Sequence, residues 1–388
     1  MLATKARWCE RMLGSVIIAY RCRRKIRRLS RSLAIARQPR LKDRVSRRFP
    51  GYSYDLWHRT LAAVSGLESA DYVPEDLFYN VFESRLNPRS RREPYKDKNF
   101  FDRMGWDCLP QTIFRIINGR LFDAAYELID VETALALACG SQVPELVVKP
   151  AIDSGSGSRV AFLDIERLTS FVPANLHAHS DWIVQRPIVQ HEVMAGLNAS
   201  SVNSLRVVTI RAGTEVSVIS SFAKIGTRGV RVDNVSAGSI AVGIEADGRL
   251  RPCGYDFAFG RSTSHPDHGY AYGDVVIPSY ASVLQTCVGL HSRVPDLDLL
   301  SWDVAVGRGG TPIVIEVNIH RQDVNITQLC NGPVFSPYID AVLARHKWFV
   351  IPGIGAIDAH ADMAQEAVKP PASAPQPQSR KWESRRAA

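Results

Sequence analysis

The chain has 388 residues, of which 45% are hydrophobic and 22% are charged. This balance is typical of a globular protein with room for two or three lobes, and it excludes a fibrous or wholly disordered chain. The net charge of +9 is uneven, because residues 1–50 hold 16 Lys and Arg side chains against Glu10 and Asp43, a net +14 that leaves −5 for the rest.

The basic arm, residues 1–50, predicts one or two helices, because apolar side chains such as Leu13, Ile17 and Tyr20 recur among its arginines. Helices of this kind commonly lie on an anionic membrane surface. The alternatives are a solvated tail, a helix packed on the body through those same apolar residues, and a nucleic-acid partner. We disfavour nucleic acid because no aromatic-rich binding motif accompanies the charges. The expected partner of residues 1–48 is therefore the body or an anionic membrane.

Cysteine usage and hydropathy predict a cytoplasmic protein, with peripheral attachment at the inner face of the membrane left open. The seven cysteines are scattered and form no CxxC pair, which disfavours a disulfide framework or a zinc site. The apolar run from Leu13 to Tyr20 is far too short to span a bilayer, and an arginine cluster follows it in place of a cleavage site.

Residues 51–130 predict a mainly helical region. Tyr54–Leu67 has helical periodicity, and Pro74 followed by two acidic residues marks the start of another helix. Near the other end of the chain, Val283–His291 predicts a helix, whereas the proline-rich segment 366–388 cannot bury a core and is predicted to be disordered.

A glycine- and serine-rich loop joins two predicted strands, Glu145–Pro150 and Val160–Leu163. It is not a P-loop, because it lacks the GK[ST] signature and a following helix. Glycine leaves backbone N–H groups accessible, so the loop is suited to close over a triphosphate while Lys149 supplies a positive charge. An ordinary hairpin loop is the alternative. The loop residues concerned are Ser154, Gly155, Ser156 and Gly157.

Two later predicted strands carry polar residues within apolar runs. Trp182–Val189 is one of them and contains Gln185 and Arg186, and Ser201–Ile210 is the other, which Asn203 and Arg206 enter. An arginine in a buried strand needs an anionic partner. That partner is either a bound phosphate or a carboxylate of the protein itself.

The stretch Ser301–Asn318 predicts a β-hairpin with a glycine-rich turn. Glu316 and Asn318 are two residues apart and leave the same face of one strand, while Asp303 begins the partner strand. Two carboxylates and an amide oxygen suit Mg²⁺ that also contacts phosphate. A half-buried hairpin whose acids face solvent is the alternative.

This hairpin, with its Trp-Asp strand and Pro-x-x-x-x-Glu-x-Asn return, resembles the metal-binding end of ATP-grasp enzymes, and most of all their sugar-transfer-associated branch. Ser201–Thr209 is similar to that family's Ser-x-Asn-Thr-x-Arg-x-x-Thr strand, and the similarity runs from about Tyr95 to Phe335. The resemblance implies an α+β fold of two lobes that clasp ATP. The predicted divisions are the basic arm (1–50), a helical region (51–130), a small lobe (131–190), a catalytic lobe (191–365) and the tail (366–388).

The resemblance also implies which residues bind the nucleotide. Lys98, in an Asp-Lys-x-x-Phe helix start, would reach the α-phosphate, with a plain surface lysine as the alternative. The hinge at 185–188 would bond the adenine edge, although Gln185 and Arg186 stand where many ATP-grasp proteins have an acidic residue. The predicted cofactor-binding residues are Lys98, Lys149, Ser154, Gly155, Ser156, Gly157, Gln185, Arg186, Ile188 and, for the ribose, Glu192.

The remaining roles come from the same family motifs. Lys224 precedes an Asp-Asn-x-x-x-Gly-Gly pattern in which Ser239 replaces the second glycine, and a His-Pro-x-x-Gly motif follows. The predicted catalytic residues are Asn203, Arg206 and Lys224, the predicted metal ligands are Asp303, Glu316 and Asn318, and the predicted substrate-binding residues are Asp233, Asn234, His265 and Arg321.

The function implied is an ATP- and Mg²⁺-dependent ligase, which activates a carboxylate as an acyl phosphate for capture by an amine. The expected substrates are small or glycan-linked, in cell-surface polysaccharide or small-metabolite biosynthesis. Two alternatives stay open: a kinase of the same fold, and a membrane-associated component of a glycan pathway with a vestigial ATP site. The intact set of Asp303, Glu316 and Asn318 argues against the vestigial site.

Overall fold

The computed structural model describes residues 2–33, 35, 37–152, 159–176, 180–229, 231, 238–344, 348–351 and 355–358, with the side chains of residues 2–11 left aside. The predicted loop residues Ser154 to Gly157, the predicted substrate residues Asp233 and Asn234, and the tail 366–388 lie outside the described residues.

Helices and strands follow one another in an α+β order. The helices are α1 (Leu2–Leu29), α2 (Pro39–Arg48), α3 (Leu56–Ser65), α4 (Glu75–Leu77), α5 (Glu83–Leu86), α6 (Arg89–Arg92), α7 (Val131–Gly140), α8 (Ile165–Leu176), α9 (Glu192–Leu197), α10 (Tyr280–Ser292), α11 (Val324–Asn331) and α12 (Ile339–Leu343). The strands are β1 (Thr112–Ile117), β2 (Arg120–Asp123), β3 (Leu128–Ile129), β4 (Leu146–Pro150), β5 (Ala161–Leu163), β6 (Trp182–Gln185), β7 (Ser204–Ala212), β8 (Glu215–Ile225), β9 (Ile240–Ile244), β10 (Leu250–Tyr255), β11 (Arg261–Ser262), β12 (Leu299–Val306), β13 (Pro312–Asn318), β14 (Trp348–Ile351) and β15 (Gly355–Asp358).

The small lobe is a six-stranded antiparallel sheet with two helices on one face. Its strand order is β3-β2-β1-β6-β4-β5. Helices α7 and α8 cover the apolar side chains of β1, β4 and β6, among them Phe114, Val148 and Val184. Three of the six strands come from residues 112–129, so the sheet begins earlier in the chain than the predicted boundary at residue 131.

The large lobe is a seven-stranded antiparallel sheet in the order β11-β10-β9-β8-β7-β12-β13. Both of its faces are buried, because α10 packs on one side and α11, with α3 behind it, packs on the other. Adjacent residues of β8 show this directly: Ala223 belongs to the core under α10, and Phe222 belongs to the core under α11. Any polar side chain on these strands therefore needs a partner within the protein or from a ligand.

The predicted hairpin is confirmed. Strands β12 and β13 pair antiparallel around a turn at 307–311, with Asp303 opposite Glu316 and Ser301 opposite Asn318. The linker after β6 bonds to this turn, since the N–H of His191 donates to the carbonyl of Val306 at 2.8 Å. The hairpin thus lies where the two lobes meet.

The basic arm is packed on the body and is not a solvated tail. One face of α1 is buried through Ala19, Cys22 and Ile26, and the Arg23 Nε lies 3.5 Å from the Asp76 Oδ2. Helix α4 begins at Glu75, immediately after Pro74, as the sequence predicts. Leu13, Ile17 and Tyr20, which would contact the body under the alternative of a helix packed through them, are instead 62%, 41% and 60% exposed.

No helix in the described part of the chain combines the length and apolar character needed to cross a membrane. The six cysteines that the structure describes are all free thiols.

Candidate active site

The site is built around Asp303, a carboxylate in the middle of the buried strand β12. Strand pairing sets Asp303 beside Arg206 of β7 on one side and Glu316 of β13 on the other. Arg206 donates two hydrogen bonds to the Asp303 carboxylate, the longer at 3.0 Å from its Nη2. The Lys224 Nζ lies 3.3 Å from the Asp303 Oδ2. Three adjacent strands thus bring two cations to one carboxylate.

Electrostatics keep this group of side chains ionised. Burial raises the pKa of Asp303, but the neighbouring Arg206 and Lys224 outweigh it, so the pKa lies below its ordinary value. Burial lowers the pKa of Arg206, and the Asp303 carboxylate more than compensates, so that pKa is raised. Asp303 and Arg206 are therefore both charged at neutral pH.

The small lobe contributes two further lysines to the same place. The Lys98 Nζ lies 3.4 Å from the Glu316 Oε1. Lys98 begins a short 3₁₀ turn, and its N–H bonds the carbonyl of Ala151, just beyond β4. Lys149, on β4, is only 7% exposed. Burial, followed by the charge of Lys98, lowers the pKa of Lys149 to about 7, while Glu316 acts in the opposite direction.

Positive charge is in excess here. Among the described residues, four cations, Lys98, Lys149, Arg206 and Lys224, surround two carboxylates, Asp303 and Glu316, and the charge of Asp323 also acts on Arg206. A depressed lysine pKa is the usual sign that an ammonium group is buried without enough negative charge nearby. An anion with several negative charges, such as a nucleoside triphosphate, would complete the balance.

The predicted metal ligands are neighbours. The Asn318 Nδ2 donates to the Asp303 Oδ2 at 3.3 Å, and Glu316 faces Asp303 across the hairpin. Among the described residues there is no group of three or more His, Cys, Asp or Glu placed to hold a metal. Mg²⁺ is commonly held by one or two carboxylates together with substrate phosphates, so Asp303, Glu316 and the Asn318 amide fit this ion by donor chemistry.

The predicted hinge residues mostly support the hinge itself. The Gln185 side chain donates to the carbonyl of Pro110 at 3.2 Å, and the Arg186 guanidinium donates to the carbonyl of Ser141 at 2.9 Å. Ile188 lies half-buried in the linker, and Glu192 begins α9 with its side chain exposed. The side chains of Gln185 and Arg186 therefore fix the linker between the lobes.

Asn203 and His265 support the turn after Lys224. The Asn203 Oδ1 accepts from the N–H of Gly226 at 3.2 Å, and the His265 Nε2 lies 2.9 Å from the Gly226 carbonyl oxygen. Both side chains are buried, at 0% and 1% exposure. A Cβ on Gly226 would lie 2.3 Å from the Ser201 Oγ, so this turn is tightly packed. Asn203 and His265 therefore hold this turn in place, and their predicted catalytic and substrate-binding roles stay predictions.

Arg321 lies in the loop that follows the metal strand. Its side chain is exposed, and its backbone has a φ of +54°, which is uncommon for any residue except glycine. The N–H of the next residue, Gln322, donates to the Glu83 Oε1 at 2.9 Å. Burial raises the pKa of Glu83 to about 7, against the opposing effects of Arg92 and the loop N–H groups.

Sequence reasoning missed Glu83 and Gln322. Gln322 is 4% exposed and accepts a hydrogen bond from Ser301, whose strand partner is Asn318. Glu83 and Gln322 therefore hold the loop behind the predicted metal ligand. The sequence feature that could have identified this contact is Glu83 itself, an acidic residue directly after the mainly apolar segment Phe78–Phe82.

Comparisons with known proteins agree with this arrangement. The family model described as sugar-transfer associated ATP-grasp matches residues 78–343, which is more than half of the chain. The resemblance inferred from the sequence is thereby confirmed. No curated protein matches the chain.

Several solved structures are similar at low identity. PsnB, an ATP-grasp ligase complexed with a minimal precursor, is 14% identical over 67% of this chain and 63% of that chain, with a TM-score of 0.38. The biotin carboxylase of Campylobacter jejuni is 10% identical over 65% of this chain and 48% of that chain, with a TM-score of 0.41. The D-cycloserine synthetase DcsG is 14% identical over 66% and 73%, with a TM-score of 0.40.

This chain spans less than two thirds of the length of PsnB and of the biotin carboxylase, and similarities of this size establish neither a shared fold nor a shared function. The family model is the finding that assigns the chain. Its match includes both sheets' central strands, Lys98, Lys149 and the whole Asp303 hairpin. The chain belongs to the sugar-transfer associated ATP-grasp family and has the ATP-grasp fold.

Proposed function

We propose that this protein is an ATP- and Mg²⁺-dependent ligase, which joins a carboxylate to an amine and releases ADP. The observation that carries the proposal is the excess of positive charge where the two lobes meet. In the part of the chain that the structure describes, four cations surround two carboxylates there, and Lys149 is buried with a pKa lowered to about 7. A triphosphate supplies the missing negative charge, and family membership supports ATP as its source.

The cationic residues of the site act at two stages, binding of ATP and transfer of the phosphoryl group. Lys98 and Lys149 hold phosphates in the bound ground state, because they extend from the small lobe toward Glu316. Arg206 and Lys224, both on the catalytic sheet beside Asp303, meet the charge that spreads over the transferring phosphoryl group. Asp303, Glu316 and Asn318 would hold Mg²⁺, which would neutralise phosphate charge.

The chemistry proceeds in two displacements. An oxygen of the substrate carboxylate attacks the γ-phosphorus, the bond to the β-phosphate oxygen breaks, and ADP leaves with the electron pair. The amine nitrogen then attacks the acyl carbon, the inorganic phosphate leaves, and the nitrogen loses a proton. The protein's own task is to position two substrates and exclude water. The exposed Arg321 beside the metal strand is our candidate for binding the substrate carboxylate.

The substrate assignment is also part of the proposal. We infer small or glycan-linked substrates in cell-surface polysaccharide or small-metabolite biosynthesis, supported by the description of the family as sugar-transfer associated.

The decisive experiment measures ADP release by the full chain with ATP, Mg²⁺ and pools of carboxylates, with and without amines. A ligase needs both pools and forms one phosphate per product. Hydroxylamine in place of the amine should trap the acyl phosphate as a hydroxamate. A kinase would release ADP with one acceptor alone and leave a stable phosphorylated product, and that result would overturn the ligase assignment. Glu316→Gln is the inactive control.

A further inference from the structure

The outward face of α1 carries a continuous line of apolar and then basic side chains. Leu13, Ile17 and Tyr20 are spaced four and three residues apart, so they lie on one face of the helix, and they are 62%, 41% and 60% exposed. Arg24 and Arg28 continue the same line at intervals of four residues and are also exposed. The face is apolar in its first half and cationic in its second.

The opposite face of α1 is fixed to the body, so the outward face is presented in one orientation. Ala19 and Ile26 have no exposed surface, and Arg23 and Lys25 form ion pairs with Asp76 and Glu75. Lys25 donates to the Glu75 Oε1 at 2.8 Å. A helix held in this way cannot turn its outer apolar side chains inward.

The positive charge of residues 1–50 limits which kind of partner can bind the outward face of α1. Between Glu10 and Asp43 the sequence has no acidic residue, and residues 1–50 carry a net +14. Two copies of such a face would repel each other, which disfavours self-association. Nucleic acid would use the arginines and leave the exposed Leu13 and Ile17 without a role. An anionic bilayer uses both halves, because apolar side chains enter the acyl boundary while arginines contact the lipid headgroups.

We propose that the outward face of α1, formed by Leu13, Ile17, Tyr20, Arg24 and Arg28, binds the surface of an anionic lipid bilayer. This attachment does not depend on the proposed ligase reaction. It places the whole body beside the membrane, because α1 packs directly on the helical segment that begins at Glu75.

The test is co-sedimentation of the full chain, without ATP, with phosphatidylcholine vesicles that contain or lack phosphatidylserine. We expect binding only to the anionic vesicles and a loss of binding between about 0.1 M and 1 M salt, because screening shortens the range of exposed charges. Arg24→Gln combined with Arg28→Gln should weaken partitioning about 30-fold, equivalent to about 2 kcal/mol for two basic side chains. Leu13→Ser combined with Tyr20→Ser should weaken it about tenfold or more.

The matched control is Arg89→Gln combined with Arg120→Gln, which makes the same charge change at two exposed positions away from α1. It should bind vesicles within about twofold of the wild type. Equal loss in this control, or equal binding of the wild type to neutral vesicles, would overturn the proposal. So would a wild-type dimer that becomes monomeric in Leu13→Ser with Tyr20→Ser and never binds vesicles, since the face would then belong to a second copy.

Discussion

Two buried groups of charged side chains in this protein differ in how their charges balance. The first lies between α1 and the start of α4. There Arg23 faces Asp76 at 3.5 Å and Lys25 faces Glu75 at 2.8 Å, with both acidic side chains at most 3% exposed. Tyr52 adds a hydrogen bond of 2.7 Å to the Asp76 Oδ1. Each cation in this group has an acidic partner in the protein.

The second group is the Asp303 cluster, in which the described cations outnumber the described carboxylates. Arg206 and Lys224 share Asp303, and Lys98 pairs with Glu316. Lys149 is buried beside them with a pKa lowered to about 7. Its surroundings thus contain too little negative charge to keep it fully protonated at neutral pH.

This difference in charge balance indicates different roles for the two groups. A balanced buried group can be complete without a ligand, and breaking it exposes the protein to the cost of an uncompensated buried charge. A buried group with excess charge has an unfavourable free energy in the free protein. Binding of an anion removes that cost, so the group favours anion binding. On this basis we interpret the α1 group as a structural attachment and propose that the Asp303 cluster binds phosphates.

The largest expected effect is the loss of turnover in Glu316→Gln. The change removes one of the two carboxylates that we propose as Mg²⁺ ligands and keeps the shape of the side chain. We expect ADP release to fall about 10²- to 10³-fold, because metal binding supplies several kcal/mol of transition-state stabilisation. The melting temperature should change little, since the Glu316 side chain is already 29% exposed.

The matched control for this variant is Glu215→Gln, at the exposed start of β8. It should keep full activity. Turnover within a few-fold of wild type in Glu316→Gln would refute the assignment of the metal ligands.

The balanced group should respond in stability and not in ligand binding. Arg23→Met leaves Asp76 buried without its cation, so we expect the free energy of unfolding to fall by about 3 kcal/mol in urea titrations. Adding Asp76→Asn should recover part of that loss. Adding ATP should not reduce the difference in unfolding free energy between Arg23→Met and the wild type, because this group binds no ligand.

Arg24→Met is the control here, since Arg24 is the adjacent arginine and is exposed. Its unfolding free energy should stay within about 0.5 kcal/mol of wild type. Equal destabilisation by Arg23→Met and Arg24→Met would mean that the ion pair with Asp76 does not hold α1 in place.

The smallest expected effect is a pH dependence of ATP affinity that belongs to Lys149. Burial, with the charge of Lys98 next, lowers the pKa of the free enzyme's Lys149 to about 7, and bound phosphate would raise it again. Binding then takes up a proton above pH 7, so the affinity should fall as pH rises, by at most about tenfold per pH unit. Below pH 7 the lysine is charged in both states and this contribution disappears.

Lys149→Arg tests that assignment, because an arginine stays charged throughout this range. Titration calorimetry in buffers of different ionisation enthalpy measures the proton uptake directly. On binding ATP at pH 8, the variant should take up about one proton fewer than the wild type. The same uptake in wild type and variant would show that another group titrates.

Sequence patterns were sufficient for the parts of the site that lie on regular strands. Alternation along a strand fixes which side chains share a face, so the amino-acid order alone places Glu316 and Asn318 together. The pairing of Asp303 with Arg206, by contrast, depends on the order of strands in the sheet, and β7 and β12 are far apart in the chain.

Loop contacts could not be predicted in the same way. Asn203 and His265 belong to motifs, but their burial around Gly226 follows from loop packing that no periodicity encodes. The orientation of α1 was also beyond the sequence, because its buried face combines Ala19 and Cys22 with Ile26, whereas Leu13, Ile17 and Tyr20 face outward. Burial there follows from the close approach of the neighbouring segment, since a Cβ on Gly355 would lie 2.7 Å from the Ala19 Cβ.

The most direct test of the central claim is titration calorimetry of ATP with Mg²⁺ into the wild type and into Lys149→Met at pH 7. We expect the wild type to bind ATP and Lys149→Met to bind it about tenfold or more weakly, because the variant lacks one cation of the site. Arg24→Met, an equal charge change on α1, should bind ATP as the wild type does. Unchanged ATP affinity in Lys149→Met would contradict the claim that excess positive charge at the Asp303 cluster binds the triphosphate.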